Sequence, residues 1–112
     1  MYYRIIKTFE VAASHCLNLD YPSKCKTPHG HNFMITVHCE SEELDKNGMV
    51  IDFSEVKKKI SSKIDHKHLN TLFDFNPTAE NLAEWICDEL GDKCYRVDVQ
   101  ESEGNVASYF RD

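Results

Sequence analysis

Three histidines in this chain are spaced so that a fold can gather them. His29 and His31 stand two apart in C-K-T-P-H-G-H-N-F-M-I-T-V-H-C-E, residues 25–40, and Phe33, Ile35, Val37 and Cys39 continue their parity. That alternation belongs to a half-buried strand, so both imidazoles leave its apolar face, roughly 6.5 Å apart at a rise of about 3.3 Å per residue. Neutral imidazoles at that separation can converge on one metal ion. His15 offers a third, because it ends a run in which Tyr3, Ile5, Phe9, Val11 and Ala13 share its parity. Three imidazoles leave one zinc position open to water or substrate, the arrangement of a catalytic metal. Cys25 presents the opposite outcome: as a fourth ligand it would close a Cys-His₃ site that merely holds a loop down. A cupin-like centre also uses His-x-His, but its glutamate ligand should follow within a few residues, where Asn32, Phe33, Met34 and Ile35 stand.

Other groups carry acid–base potential. Cys25 lies between Lys24 and Lys26, a setting that favours thiolate when the ammonium groups are near. Asp65-His66 pairs a carboxylate with an imidazole, fit for a proton relay with such a thiol; its plainer reading is a helix C-terminus, where histidine meets the dipole. Glu101 ends the stripe of Tyr95, Val97 and Val99. It reads either as a buried acceptor for a pair of ligand N–H groups or as a strand-end surface residue.

The elements that must position these groups follow from periodicity. A strand is expected from about Tyr3 to Ala13, a loop rich in Pro, Asn, Asp and Ser delivers Cys25, and the His-Gly-His strand follows. Asn47-Gly48 marks a turn. Asp52 with Glu55 caps a helix that buries Phe53, Val56, Ile60 and Ile64 opposite Lys57, Lys58, Lys59 and Lys63. The polar stretch 64–78 reads as a loop. A second helix, Thr78 to Leu90, buries Leu82, Trp85, Ile86 and Leu90 and stops at Gly91; strands from Cys94 to Glu101 and Val106 to Phe110 complete the chain. The order β-β-α-α-β-β predicts an α+β fold, a four-stranded antiparallel sheet with two helices on one face, in one domain over 1–112.

Composition narrows the function classes. A net charge of −6 disfavours a broad nucleic-acid footprint. No apolar run approaches the roughly 18 residues of a membrane span, and the opening M-Y-Y-R-I-I-K lacks a signal peptide's apolar centre, so a cytoplasmic location without membrane attachment is expected. Five cysteines at irregular spacing argue for buried thiols over a disulfide framework. A chain of 112 residues is small to enclose a substrate alone.

Taken together, F-E-V-A-A-S-H, C-K-T-P-H-G-H-N-F, G-M-V-I-D-F, I-D-H-K-H-L-N, N-P-T-A-E-N-L-A and V-Q-E-S resemble the 6-pyruvoyl-tetrahydropterin synthase and 6-carboxytetrahydropterin synthase family along nearly the whole chain. The resemblance implies the tunnelling fold, with subunits closing a barrel as trimers, two trimers stacking, and active sites between subunits. It implies zinc held by His15, His29 and His31, proton transfer by Cys25, Asp65 and His66, and a pterin edge held by Glu101 with Thr78 and Glu80 framing the pocket. The spacing C-x-x-x-H-G-H is similar to that of the carboxytetrahydropterin branch, which serves queuosine and other 7-deazapurine pathways and acts on 7,8-dihydroneopterin triphosphate. The pyruvoyl synthase and a non-catalytic zinc- and pterin-binding module stand as alternatives.

Overall fold

The computed structural model describes residues 1–112. Strand β1 (Tyr3–His15) pairs antiparallel with β2 (His29–Ser41) over their whole length, from Tyr3 opposite Ser41 to His15 opposite His29. Strand β4 (Cys94–Ser102) lies antiparallel on the other side of β2, and β5 (Asn105–Phe110) closes the far edge. A fifth strand modifies the expected four. Lys67–His68 form β3, a two-residue strand parallel to β1 at Ala13 and Ser14, giving the order β3-β1-β2-β4-β5. The stretch read as a loop thus carries β3 and a single helical turn, α2 (Leu69–Leu72), whose Leu69 is fully buried. Its polar residues satisfy the local backbone and hid the element from a hydrophobic count.

Helix α1 (Phe53–Ile64) and helix α3 (Ala79–Leu90) cover one face of the sheet. Twelve-residue helices are marginal alone in water. Val56, Ile60 and Ile64 of α1, fully or almost fully buried, contribute about 1.5–3 kcal/mol each, so packing rather than propensity holds the helix. They meet Phe9, Val11, Phe33, Ile35, Val37 and Val97 in a single apolar core of 20 residues. Asp52 caps α1 through the Ser54 N–H as expected, yet Phe53 is half exposed and outside the core, because the first residue after the cap lies over the helix's open end. Arg111 closes α3 at its other end, donating to the carbonyls of Cys87, Gly91 and Cys94 and to Asp88 Oδ1.

Two bulges in β4 revise its expected faces. Against β2, Arg96 pairs with His38 and Cys94 with Cys39, which leaves Tyr95 as an extra residue. Cys94 therefore takes the core position, and Tyr95 turns to the opposite face beside His38, with Arg4 over its ring. Against β5, Gln100 pairs with Val106 and Ser102 with Asn105, so Glu101 is extra. Such insertions re-aim side chains next to functional sites. All five cysteines are free; burial pushes the Cys87 thiol up to about 12, which makes it a packing group.

The uncovered face carries a polar knot. Asp98 accepts from Ser108 Oγ at 2.6 Å and Arg96 Nε at 3.0 Å, and His38 Nε2 stands 2.9 Å away. Burial pushes the Asp98 carboxyl up, and these donors together outweigh it, leaving it below the usual carboxylate range. A depressed folded value means that the unfolded chain binds the proton first as pH falls. The stabilisation is complete above the ordinary value near 3.8 and is lost as pH drops through the lower folded one. In urea melts, Asp98→Asn should be less stable than wild type by about 1–3 kcal/mol at pH 7. The gap should narrow as pH falls from the ordinary value near 3.8 through the lower folded one; a pH-independent difference would remove the carboxylate from the account.

Candidate active site

Because β1 and β2 are in register with His15 opposite His29, the three histidines meet at one end of the sheet. Their ring centroids lie 4.6 Å (His15–His29), 5.1 Å (His15–His31) and 4.8 Å (His29–His31) apart. Backbone carbonyls fix two of the rings: His15 Nδ1 donates to Pro77 O at 2.7 Å and His29 Nδ1 to Thr27 O at 2.8 Å. With Nδ1–H held by a carbonyl, each Nε2 keeps a free lone pair, as in histidines that bind a metal through one nitrogen while the other donates to the backbone. His15 is fully buried, and burial pushes its imidazole below the ordinary range against the pull of the Pro77 carbonyl, favouring the neutral, ligating form.

The fit to a metal rests on orphaned atoms. Nε2 of His15 and Nε2 of His31 are buried without a hydrogen-bond partner, an arrangement that costs free energy unless something fills the space between them. Glu101 completes the group: its Oε1 lies 3.1 Å from His31 Nε2, at ion-pair distance but out of line for a hydrogen bond. Ligand atoms of His15, His29, His31 and Glu101 all fall within 4.8 Å of one another, so this set could hold a metal ion. Cys25 is not among them, which weighs against a closed Cys-His₃ centre.

Cys25 instead lines a cavity of about 700 Å³ with Lys24, His29, His31, Glu101 and Asn105. Its loop is closed by Leu17 N–H donating to Cys25 O at 2.8 Å and by Ser23 Oγ accepting from Cys25 N. Two asparagines that sequence reading left without a role pin the same loop. Asn70 bonds both N–H and C=O of Cys16, and Asn76 does so for Asn18, each side-chain amide imitating a neighbouring strand. The signal available was Asn on either side of a short stretch that carries Leu72, Phe73 and Phe75, in H-L-N and N-P-T. Asn76-Pro77-Thr78 thereby serves three ends: loop clamp, His15 orientation, and the α3 cap, Thr78 Oγ1 accepting from Asn81 N. Glu80 shares a smaller cavity with Glu101, Asn105 and Ala107.

Asp65 and His66 are placed elsewhere. Asp65 Oδ1 accepts from Ala12 N at 3.0 Å and His66 N–H donates to Ala12 O at 2.7 Å, so the pair grips the outer edge of β1. His66 sits at φ +60°, a conformation that costs a non-glycine residue free energy, and its ring is exposed, 3.6 Å from Asp65 Oδ2. His66 borders a second cavity of about 470 Å³ on β1, which Cys25 does not line and which meets the Cys25 cavity at His31.

A sequence profile described as 6-pyruvoyl tetrahydropterin synthase matches residues 4–112, and the chain belongs to that family. It is 28% identical over 95 residues to the 6-carboxy-5,6,7,8-tetrahydropterin synthase of Bacillus subtilis, covering 79% of this chain and 65% of that protein, just under two thirds of its length. It is 36% identical over 90 residues to the dihydroneopterin monophosphate aldolase of Pyrococcus furiosus, covering 78% of this chain and 74% of that one. The structure of Caenorhabditis elegans 6-pyruvoyl tetrahydropterin synthase superposes with a TM-score of 0.80 at 24% identity, over 100% of this chain and 97% of the other, and shares the fold. No helix here is long and apolar enough to cross a membrane.

Proposed function

We propose that this chain is a zinc-dependent 6-carboxy-5,6,7,8-tetrahydropterin synthase, converting 7,8-dihydroneopterin triphosphate and water to 6-carboxytetrahydropterin, acetaldehyde and triphosphate in 7-deazapurine biosynthesis. The observation that carries the reading is the set of His15, His29 and His31 nitrogens beside a cavity holding Cys25 and Glu101. Zinc bound there by the three imidazoles would supply Lewis-acid polarisation of the substrate's side-chain oxygens. Cys25, as thiolate, takes a proton from the side chain. Glu101 accepts from the N–H pair of the pterin edge, re-aimed for that task by its bulge. Thr78 and Glu80 frame the pocket from the start of α3, Thr78 by fixing the helix end.

The separation of Asp65-His66 from Cys25 favours an assembly. The sheet has two open edges, β5 and most of the outer side of β1, and the strands alternate so that β5 of one copy can run antiparallel to β1 of the next. In a trimeric ring closed this way, or a pair of such rings, the dyad gripping β1 stands beside the neighbour's β4–β5 hairpin. That hairpin carries Glu101, Ser102 and Asn105 of the neighbour's Cys25 cavity. The dyad then relays protons for a site it does not share a chain with. This also answers how so small a chain encloses a substrate.

The test is incubation of zinc-loaded protein with 7,8-dihydroneopterin triphosphate, with chromatography of the oxidised pterins and trapping of aldehyde. Equal amounts of acetaldehyde and 6-carboxytetrahydropterin are expected. A 6-pyruvoyl product without aldehyde would move the chain to the pyruvoyl branch, turnover confined to dihydroneopterin monophosphate would indicate an aldolase, and tight binding without turnover a binding module.

A further inference from the structure

The cavity of about 470 Å³ beside β3 differs electrically from the one that holds Cys25. Its side chains include Ser14, Asn32, His66, Lys67 and His68, with His31 shared between the two cavities, and no carboxylate is among its lining residues, in a chain whose net charge is −6. Ser14 Oγ lies 2.8 Å from His68 Nδ1 across the β1–β3 pair, which fixes that ring and leaves Nε2 without a protein partner. Lys67 is exposed and enters none of the molecule's ion pairs. Two acids reach its lining residues from outside: Glu101 lies 3.1 Å from His31 Nε2, and Asp65 has one oxygen engaged by Ala12 N and the other 3.6 Å from His66.

Cationic and neutral donors without a competing acid suit a polyanion. The Cys25 cavity does not offer this, since Glu101 would repel phosphates and Lys24 is the one lysine facing it.

We propose that this cavity is an oligophosphate subsite, with Lys67 as its principal cation and His68, Ser14 and Asn32 as further donors. The inference rests on the reading above of a pterin triphosphate as substrate, and on the same ring of copies. The ring end of the ligand lies at the neighbour's Glu101, and its anionic tail crosses to Lys67 of this copy. Lys67 and His66 are adjacent in sequence, so tail binding also draws the dyad against the reacting side chain.

Calorimetric titration of the zinc-loaded full chain with inorganic tripolyphosphate tests this without turnover, with zinc content measured before and after. Lys67→Gln should weaken binding roughly ten- to hundredfold, the range for a lost charged hydrogen bond. Lys67→Arg should restore most of it, and Lys24→Gln should change it less than about threefold. Absence of binding to wild type, an affinity insensitive to Lys67→Gln, a loss caused by Lys24→Gln instead, or heat that tracks release of zinc would each overturn the subsite. Lys67-dependent binding in a chain that does not consume dihydroneopterin triphosphate would keep the subsite and remove the synthase reading. Turnover with Lys67-independent binding would do the reverse.

Discussion

Replacing His29 and His31 together by alanine should reduce bound zinc from about one equivalent per chain to less than about a tenth, because one imidazole and a carboxylate cannot hold the ion in place of three imidazoles. Activity should fall by ~10³-fold or more, since a bound metal contributes several kcal/mol of charge stabilisation. These two positions are preferable to His15, which is fully buried at the rim of the core, where a truncation would confound folding with ligation. The His31 and Glu101 side chains are 18% and 26% exposed and lie outside the apolar core, so their replacement disturbs folding less than that of His15. Glu101→Gln should keep its zinc while weakening pterin binding by about 1.5–3 kcal/mol. Plasma emission spectrometry of dialysed protein decides the first point. Zinc unchanged in the double histidine variant would end the metal reading, and zinc lost from Glu101→Gln would make that carboxylate a ligand.

Cys25→Ala carries the second large effect. A thiol that acts only as base can be removed without disturbing the ligands, so zinc content should stay at wild-type level while turnover drops by about 10²–10⁴-fold, the contribution of a positioned proton-transfer group. The geometry behind this is the cluster of three histidines that would hold the metal, with Cys25 outside it and lining the same cavity as His29, His31 and Glu101. The tether of Lys26, Thr27 and Pro28 holds the thiol near His29, and Ser23 and Leu17 close its loop. Metal analysis and turnover must be read together. Loss of zinc from Cys25→Ala would establish the closed Cys-His₃ centre, and full activity would show the thiol to be a bystander.

Much of the scaffold was legible because it depends on local alternation. Odd-numbered residues of β1 and β2 from Phe9 to Cys39 face the core as parity predicts, and α3 starts at its Thr78 cap and stops at Gly91, whose φ of +89° only glycine adopts freely. The misreadings have separate causes. Tyr95 left its expected face because a bulge leaves it unpaired between Cys94, opposite Cys39, and Arg96, opposite His38, and no feature of C-Y-R-V records which partner residue it will oppose. Phe53 looked like core from its spacing and proved half exposed, and β3 was missed because two residues are too few to show a period.

What the amino-acid sequence determined by itself is the inventory and the facing of its histidines: three imidazoles on one apolar side of two strands, with a thiol four residues before the second and a carboxylate near the end of a later strand. Side-chain parity is a property of the extended backbone and needs no partner. Tertiary structure decided how that inventory is used. His15 presents Nε2 because a carbonyl 62 residues away, at Pro77, accepts a hydrogen bond from its Nδ1–H. Glu101 rather than Cys25 completes the cluster because β5 leaves Glu101 unpaired. Asp65-His66 lies apart from Cys25 because both are tied to the outer edge of β1 at Ala12. Each of these outcomes is a contact between residues distant in the chain, set by strand register and loop closure, which no local pattern encodes.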